Sequence, residues 1–174
     1  MAAPSVANAL RRSLLIKVIS KATPSRDDVS SVIELTAAKV VEALQAQSMT
    51  LYLVEGSEIA FKHVYYSPSL WAHAPLREAE FKETAKKLLT QKLPLKTGNV
   101  GRVIATGEPL FFSAGGRDAA ALQQMNTGFE VRSMLTVPLR TTLTLGAIQV
   151  LNKEPGAGTN GLFTPADLTL LQEV

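Results

Sequence analysis

Chemistry in this chain has little to draw on. The 174 residues include two histidines, His63 and His73, and no cysteine. Disulfides, thiolate metal sites and cysteine nucleophiles are therefore excluded. Two histidines are too few for a histidine-based zinc site. His63 falls in a strand-forming stretch with no nameable partner, so it reads as a partly exposed neighbour and not as a general base. The glycine-bearing stretch TGNVGRVIATG, from Thr97 to Gly107, invites comparison with phosphate loops. It lacks the Gly-Lys-Ser/Thr ending that would place an ammonium on a phosphate. Its glycine spacing also differs from the dinucleotide fingerprint. A helix entry that needs small residues explains it as well as any phosphate role. No nucleophile, base and acid set is legible, and catalysis is not expected. The most pointed polar residue is Gln149. It interrupts the apolar run Leu145–Leu151, and a buried amide must find a hydrogen-bond partner. A ligand edge, the backbone, water or simple exposure would each satisfy it.

The elements that must position these residues follow from periodicity and caps. Leu145–Leu151 has strand length and ends in Asn152-Lys153. A Gly/Pro-rich loop follows, then Phe163-Thr164-Pro165-Ala166-Asp167. Thr164 is placed as an N-cap, Pro165 as the first helical residue, and Asp167 where a carboxylate closes a capping box. Upstream, Val6–Lys21 has helical spacing, with Val6, Leu10, Leu14 and Val18 on one stripe. Its pairing with a twin in a dimer and its packing on its own domain are equally open. Asp27 or Asp28 can cap a second helix reaching about Gln47. Ser48–Val54 and Glu58–Tyr66 are strand-forming and flank a Glu55-Gly56-Ser57 turn. Pro68–Pro75 reads as a loop with exposed aromatics, including Trp71. Arg77–Gln91 is a polar helix with Phe81 inward, and its Lys86 and Lys87 suit a solvated face. Thr97 or Asn99 caps a short helix over Val100–Ala105, which Gly107 stops in a left-handed conformation. Leu110–Phe112, a helix over Arg117–Asn126, and a strand over Ser133–Leu139 complete the series. The order is helix, helix, strand, strand, helix, short helix, strand, helix, strand, strand, helix. Mostly antiparallel strands with helices at the ends and on one face make an α+β architecture.

The totals agree with this. Apolar residues make up 46% and charged residues 19%, a globular composition. Net charge is +3, which does not point to nucleic acid. No apolar run reaches the roughly 18 residues that a membrane span needs. Lys17 interrupts the early apolar stretch, which reads as a helix and not as a signal peptide. A cytoplasmic protein is expected. The apolar stripe of the last helix, Leu168, Leu171 and Val174, is still running at the end of the sequence. That suggests an exit helix leading into a covalently linked output module.

Three motifs, in order, resemble the GAF domain family. TGNVGRVIATGEPLF resembles its Gly-x-x-Gly-x-Val-x-x-Thr-Gly-x-Pro element. TGFEVRSMLTVPL resembles its Thr-Gly-Phe-x-x-Arg-Ser-x-Leu-x-x-Pro strand. LGAIQVLNK with Phe163 and Asp167 resembles its final strand and its closing Asn-Lys, Phe, Asp motif. The resemblance runs from about Asp27 onward. Residues 1–26 are then a helical extension that could dimerise, and residues 27–174 are the sensor domain. It implies a six-stranded antiparallel sheet, with the N- and C-terminal helices on one face and short helices over a ligand cavity on the other. It implies a regulatory module and not an enzyme, and it is nearest the cyclic-nucleotide phosphodiesterase and adenylyl cyclase type. Without cysteine, bilin attachment and thiol-based methionine sulfoxide reduction are removed from the activities of GAF-like proteins. Matching by position picks out Ser48, Asn99, Val100, Thr127 and Gln149 as ligand-binding, with a cyclic nucleotide as a possible ligand. Asn152, Lys153, Phe163 and Asp167 form the structural motif, in which Lys153 and Asp167 pair as a latch. Two departures stand against a cyclic nucleotide: Gln124 replaces an acidic residue, and Ser113–Gly116 lacks the acidic and aromatic pattern. The closing motif also departs from the family's, since Leu168 stands where it ends in Glu. A ligand-free dimerisation module with a vestigial cavity is the alternative reading.

Overall fold

The apolar run beginning at Leu145 lies in the middle of the sheet. In the computed structural model, which describes residues 26–113, 129–157 and 160–173, β6 spans Thr144–Lys153. It pairs antiparallel with β1 (Ala46–Glu55) on one side and β5 (Ser133–Arg140) on the other. Side chains of a strand alternate between faces. A central strand covered on both faces therefore reads as nearly continuous apolar sequence. β2 (Glu58–Tyr66), β3 (Lys92–Pro94) and β4 (Leu110–Ser113) extend the sheet to six antiparallel strands in the order β3-β2-β1-β6-β5-β4.

Each face has its own core. On the first, α1 (Arg26–Leu44) lays Ala37, Val40, Val41 and Leu44 against Met49, Leu51, Leu135, Val137, Ile148 and Val150. The exit helix α4 (Pro165–Gln172) joins this face through Leu171, with Phe163 buried just before it. On the second face, α3 (Gly98–Thr106) lays Val100, Val103 and Ile104 against Tyr52, Ile59, Met134, Ala147 and Leu151. α2 (Arg77–Leu89) covers the β2 side and buries Phe81 against Tyr66, with ring centroids 5.0 Å apart. Terminal helices on one face and short helices on the other is the expected α+β architecture.

Several local expectations are corrected. The first described helix begins at Arg26, ahead of both aspartates, and stops at Leu44 because Gln45 turns left-handed at φ 50°. β1 consequently starts at Ala46, before Ser48. β3 was not expected, since three residues ending in proline carry no period. The segment after Tyr66 holds a 3-10 turn, Pro68–Trp71, and Trp71 is half-buried against Phe81 and not exposed. Thr97 occupies the cap position of α3 without a side-chain hydrogen bond, and Gly107 ends that helix at φ 69° as anticipated. The small residues at its entry have a packing reason. A Cβ on Gly101 would lie 2.8 Å from the Leu95 carbonyl oxygen. The strand over Ser133–Leu139 and the capped exit helix stand as expected. The anticipated helices over Val6–Lys21 and Arg117–Asn126 lie outside the described residues, as does Val174.

Candidate functional site

Polar side chains stand side by side on the second face. Thr50, Gln149 and Thr136 are direct cross-strand partners on β1, β6 and β5. Ser48 and Tyr52 flank Thr50 on β1 at the strand period of two. All five side chains are buried, Gln149 at 1% exposure and Thr136 at 0%. The amide nitrogen of Gln149 donates to Thr136 Oγ1 at 3.1 Å and to Met134 Sδ at 3.0 Å. Its oxygen accepts from the Tyr52 hydroxyl at 3.2 Å. The partner that sequence required for Gln149 is thus provided by the protein itself. Oε1 retains a second lone pair for another donor.

This floor is neutral. Burial pushes the Tyr52 phenol far up, against a lowering hydrogen bond from Thr50. Burial also pushes Tyr66 up to about 12. Both phenols therefore act as hydrogen-bonding groups at physiological pH. A row of hydroxyls and an amide can hold a polar edge of a small molecule, each group donating or accepting a hydrogen bond.

Beside the stripe lies an aromatic cluster. Phe81 meets Tyr66, Trp71 at 5.8 Å and Phe129 at 6.3 Å, and Tyr66 meets Phe129 edge-on at 6.1 Å. The Arg77 guanidinium sits 5.0 Å from the Phe81 centroid. Sequence reasoning missed this cluster because its members come from four separate segments: β2, the 3-10 turn, α2 and the stretch before β5. The stripe had a readable signal, the alternation of Ser48, Thr50 and Tyr52 with Met49, Leu51 and Leu53.

The other matched positions separate. Asn99 and Val100 lie in the first turn of α3, and the first bond into that helix is Gly101 N to Thr97 O at 3.2 Å. The amides before it are those that a helix leaves without intrahelical partners. The Val100 side chain itself is core. Thr127 lies outside the described residues. His63 is on the other face, 3.1 Å from Glu34 of α1 but without hydrogen-bonding geometry. Burial lowers its pKa, and Glu34 opposes that shift. Among the described residues, no cluster of acids and histidines could hold a metal ion. None of the described helices is long and apolar enough to cross a membrane. A cleft of about 350 Å³ opens between Gly107, Arg140 and Leu171, away from the stripe.

The closing motif is a brace. Lys153 Nζ lies 3.0 Å from Asp167 Oδ1, with both side chains nearly buried. The other oxygen of Asp167 accepts from Thr164 N at 2.7 Å, and Thr164 Oγ1 accepts from Asp167 N, completing the capping box. Asn152, buried at φ 48°, uses its amide fully. Its oxygen accepts from Arg132 N at 2.7 Å and Ser133 N at 3.0 Å. Its nitrogen donates to Glu130 O at 2.7 Å and Gln47 Oε1 at 3.0 Å.

The same architecture occurs in solved structures. The GAF domain of a phosphoenolpyruvate-protein phosphotransferase from Acinetobacter has a TM-score of 0.62 at 16% identity, covering 98% of this chain and 88% of that one. Its counterpart from Coxiella burnetii has a TM-score of 0.64 at 15% identity, covering 95% and 83%. A free methionine-R-sulfoxide reductase from Neisseria meningitidis, in complex with its substrate, has a TM-score of 0.55 at 17% identity, covering 99% and 87%. At these identities the likeness shows the fold alone. No curated protein matches the chain. The GAF domain model matches residues 28–174. GAF domains are generally sensory or regulatory modules, and this chain belongs to the GAF domain family.

Proposed function

We propose that this domain is a non-catalytic sensor of a small, polar molecule held over the second face of the sheet. The observation that carries the reading is the buried polar stripe. A face that had only to be packed would be apolar, because burying hydroxyls and an amide lowers stability unless each is paired. Here Ser48, Thr50, Tyr52, Thr136 and Gln149 share one face across three strands. Beside them, the first turn of α3 at Asn99 and Val100 offers amides suited to an anionic or carbonyl group. A cyclic nucleotide is the specific version of this proposal. Its phosphate would use those amides, and its base would use the stripe. A non-enzymatic role is supported by the neutral floor and by the absence of cysteine, which thiol-based reduction of methionine sulfoxide requires. The sensor would act in the cytoplasm as a homodimer, passing the bound state through its exit helix to an output domain beyond residue 174. No nucleic-acid or membrane partner is proposed.

One observation favours the alternative, a ligand-free dimerisation module. The Gln149 amide already has partners on Tyr52, Met134 and Thr136. Isothermal titration with cAMP, cGMP and cyclic dinucleotides separates the two. Heat with one ligand, lost in Gln149→Leu, supports the nucleotide version. Silence with all of them removes it. A monomer by sedimentation at tens of micromolar counts against the dimerisation module.

A further inference from the structure

We infer that Asn152, Lys153 and Glu154 form a junction coupling the aromatic cluster on the second face to the exit helix on the first. The proposal deepens the sensing reading, on which it rests only for the natural trigger. In a regular strand, consecutive side chains point to opposite faces and cannot serve three directions. The left-handed Asn152 breaks that alternation at the end of β6. Three successive residues then reach three different elements.

Asn152 holds the segment leading into β5 by its bonds to Glu130 O, Arg132 N and Ser133 N. Phe129, next to Glu130, packs on Phe81 and Tyr66. Glu154 holds the opposite side of the same cluster. Its carboxylate accepts from the Ser69 hydroxyl, which also accepts from Ser67 Oγ at 2.9 Å. Ser69 shares its 3-10 turn with Trp71, which packs on Phe81. The Glu154 amide donates to Gln45 O at 2.7 Å, anchoring the junction to the α1–β1 turn. Between these two, Lys153 pairs with Asp167 and fixes the start of α4. A molecule that displaces Phe129 or Trp71 therefore strains Asn152 or Glu154, and the strain reaches Asp167 through one intervening residue. Such coupling has physical content because its links are packed and hydrogen-bonded.

Amide hydrogen exchange tests this without any ligand. Asp167→Asn keeps a side-chain acceptor for the Thr164 cap but removes the charge that Lys153 meets. The inference expects faster exchange at Leu70 and Ala72, whose amides bond to Ser67 O and Ser69 O. The expected rise is roughly 2- to 30-fold, the range of coupling energies carried by such networks. Amides inside α2 and α3 should stay unchanged. Lys153→Met should give the same pattern. In the reverse direction, the exposed Ser69→Ala should quicken exchange at Leu168–Leu171. A change confined to α4, or an equal rise at every amide, overturns the inference. Since no arm uses a ligand, that outcome would leave the sensing proposal standing.

Discussion

Replacing Asn152 by alanine should be among the most damaging single changes on the surface-free side of β6. The side chain is 1% exposed and makes four hydrogen bonds. Truncation leaves Ser133 N and Gln47 Oε1 in buried surroundings without that partner, and each such group costs about 1–3 kcal/mol. Arg132 N and Glu130 O lie nearer the surface, so water can replace the lost bonds there. Alanine at φ 48° adds roughly 1–2 kcal/mol that asparagine largely escapes. The expected loss is about 3–8 kcal/mol, a large part of the ~5–15 kcal/mol that holds a domain folded. Asn152→Gly separates the two contributions, since it keeps the left-handed backbone and loses only the bonds. It should recover about 1 kcal/mol relative to alanine. Urea unfolding followed by circular dichroism measures all three proteins. A loss below about 1 kcal/mol for Asn152→Ala would show that the four bonds are replaced by water, and the reasoning would fail.

Three further changes test separate parts of the account. In Gly146→Ala, the added Cβ would lie 1.9 Å from the Tyr52 carbonyl oxygen. β1 and β6 must separate, so a loss of at least about 3 kcal/mol or insoluble protein is expected, read by urea unfolding or soluble yield. In Thr164→Ala the capping box is lost, which should cost about 1 kcal/mol by the same assay, while Asp167 keeps its pairing with Lys153. For His63, burial holds the folded pKa below its unfolded value of about 6.5. The folded state then binds fewer protons, so its stability is present above that value and declines as pH falls through it. His63→Gln should flatten this part of the profile, and an unchanged acid limb between pH 7 and 5 would contradict it.

Legibility followed how locally each feature is encoded. The exit helix was readable because Thr164, Pro165 and Asp167 specify their own backbone within four residues. Gly107 and the β5–β6 hairpin were readable for the same reason. The latch from Lys153 to Asp167 came from the family resemblance, and the structure places those charges 3.0 Å apart. β3 was illegible, since Lys92–Pro94 is a strand only because β2 presents an open edge to it. The premature stop of α1 at Leu44 was equally hidden, because nothing in Gln45 announces a left-handed turn. The aromatic cluster depends on tertiary neighbours. Gln149 lies between these cases. Its need for a partner was plain in the sequence, but the identity of Tyr52, Met134 and Thr136 was set by strand register. Gly146 had no sequence signal beyond being glycine, and its role appears only where β6 pairs with β1 beside Leu53.

Native mass spectrometry of the freshly purified protein tests the central claim most directly. The sensing account predicts a non-covalently bound small molecule, released on gentle activation and lost in Gln149→Leu. A bare polypeptide mass in every preparation, unaltered by a panel of polar metabolites, would contradict a ligand-holding second face.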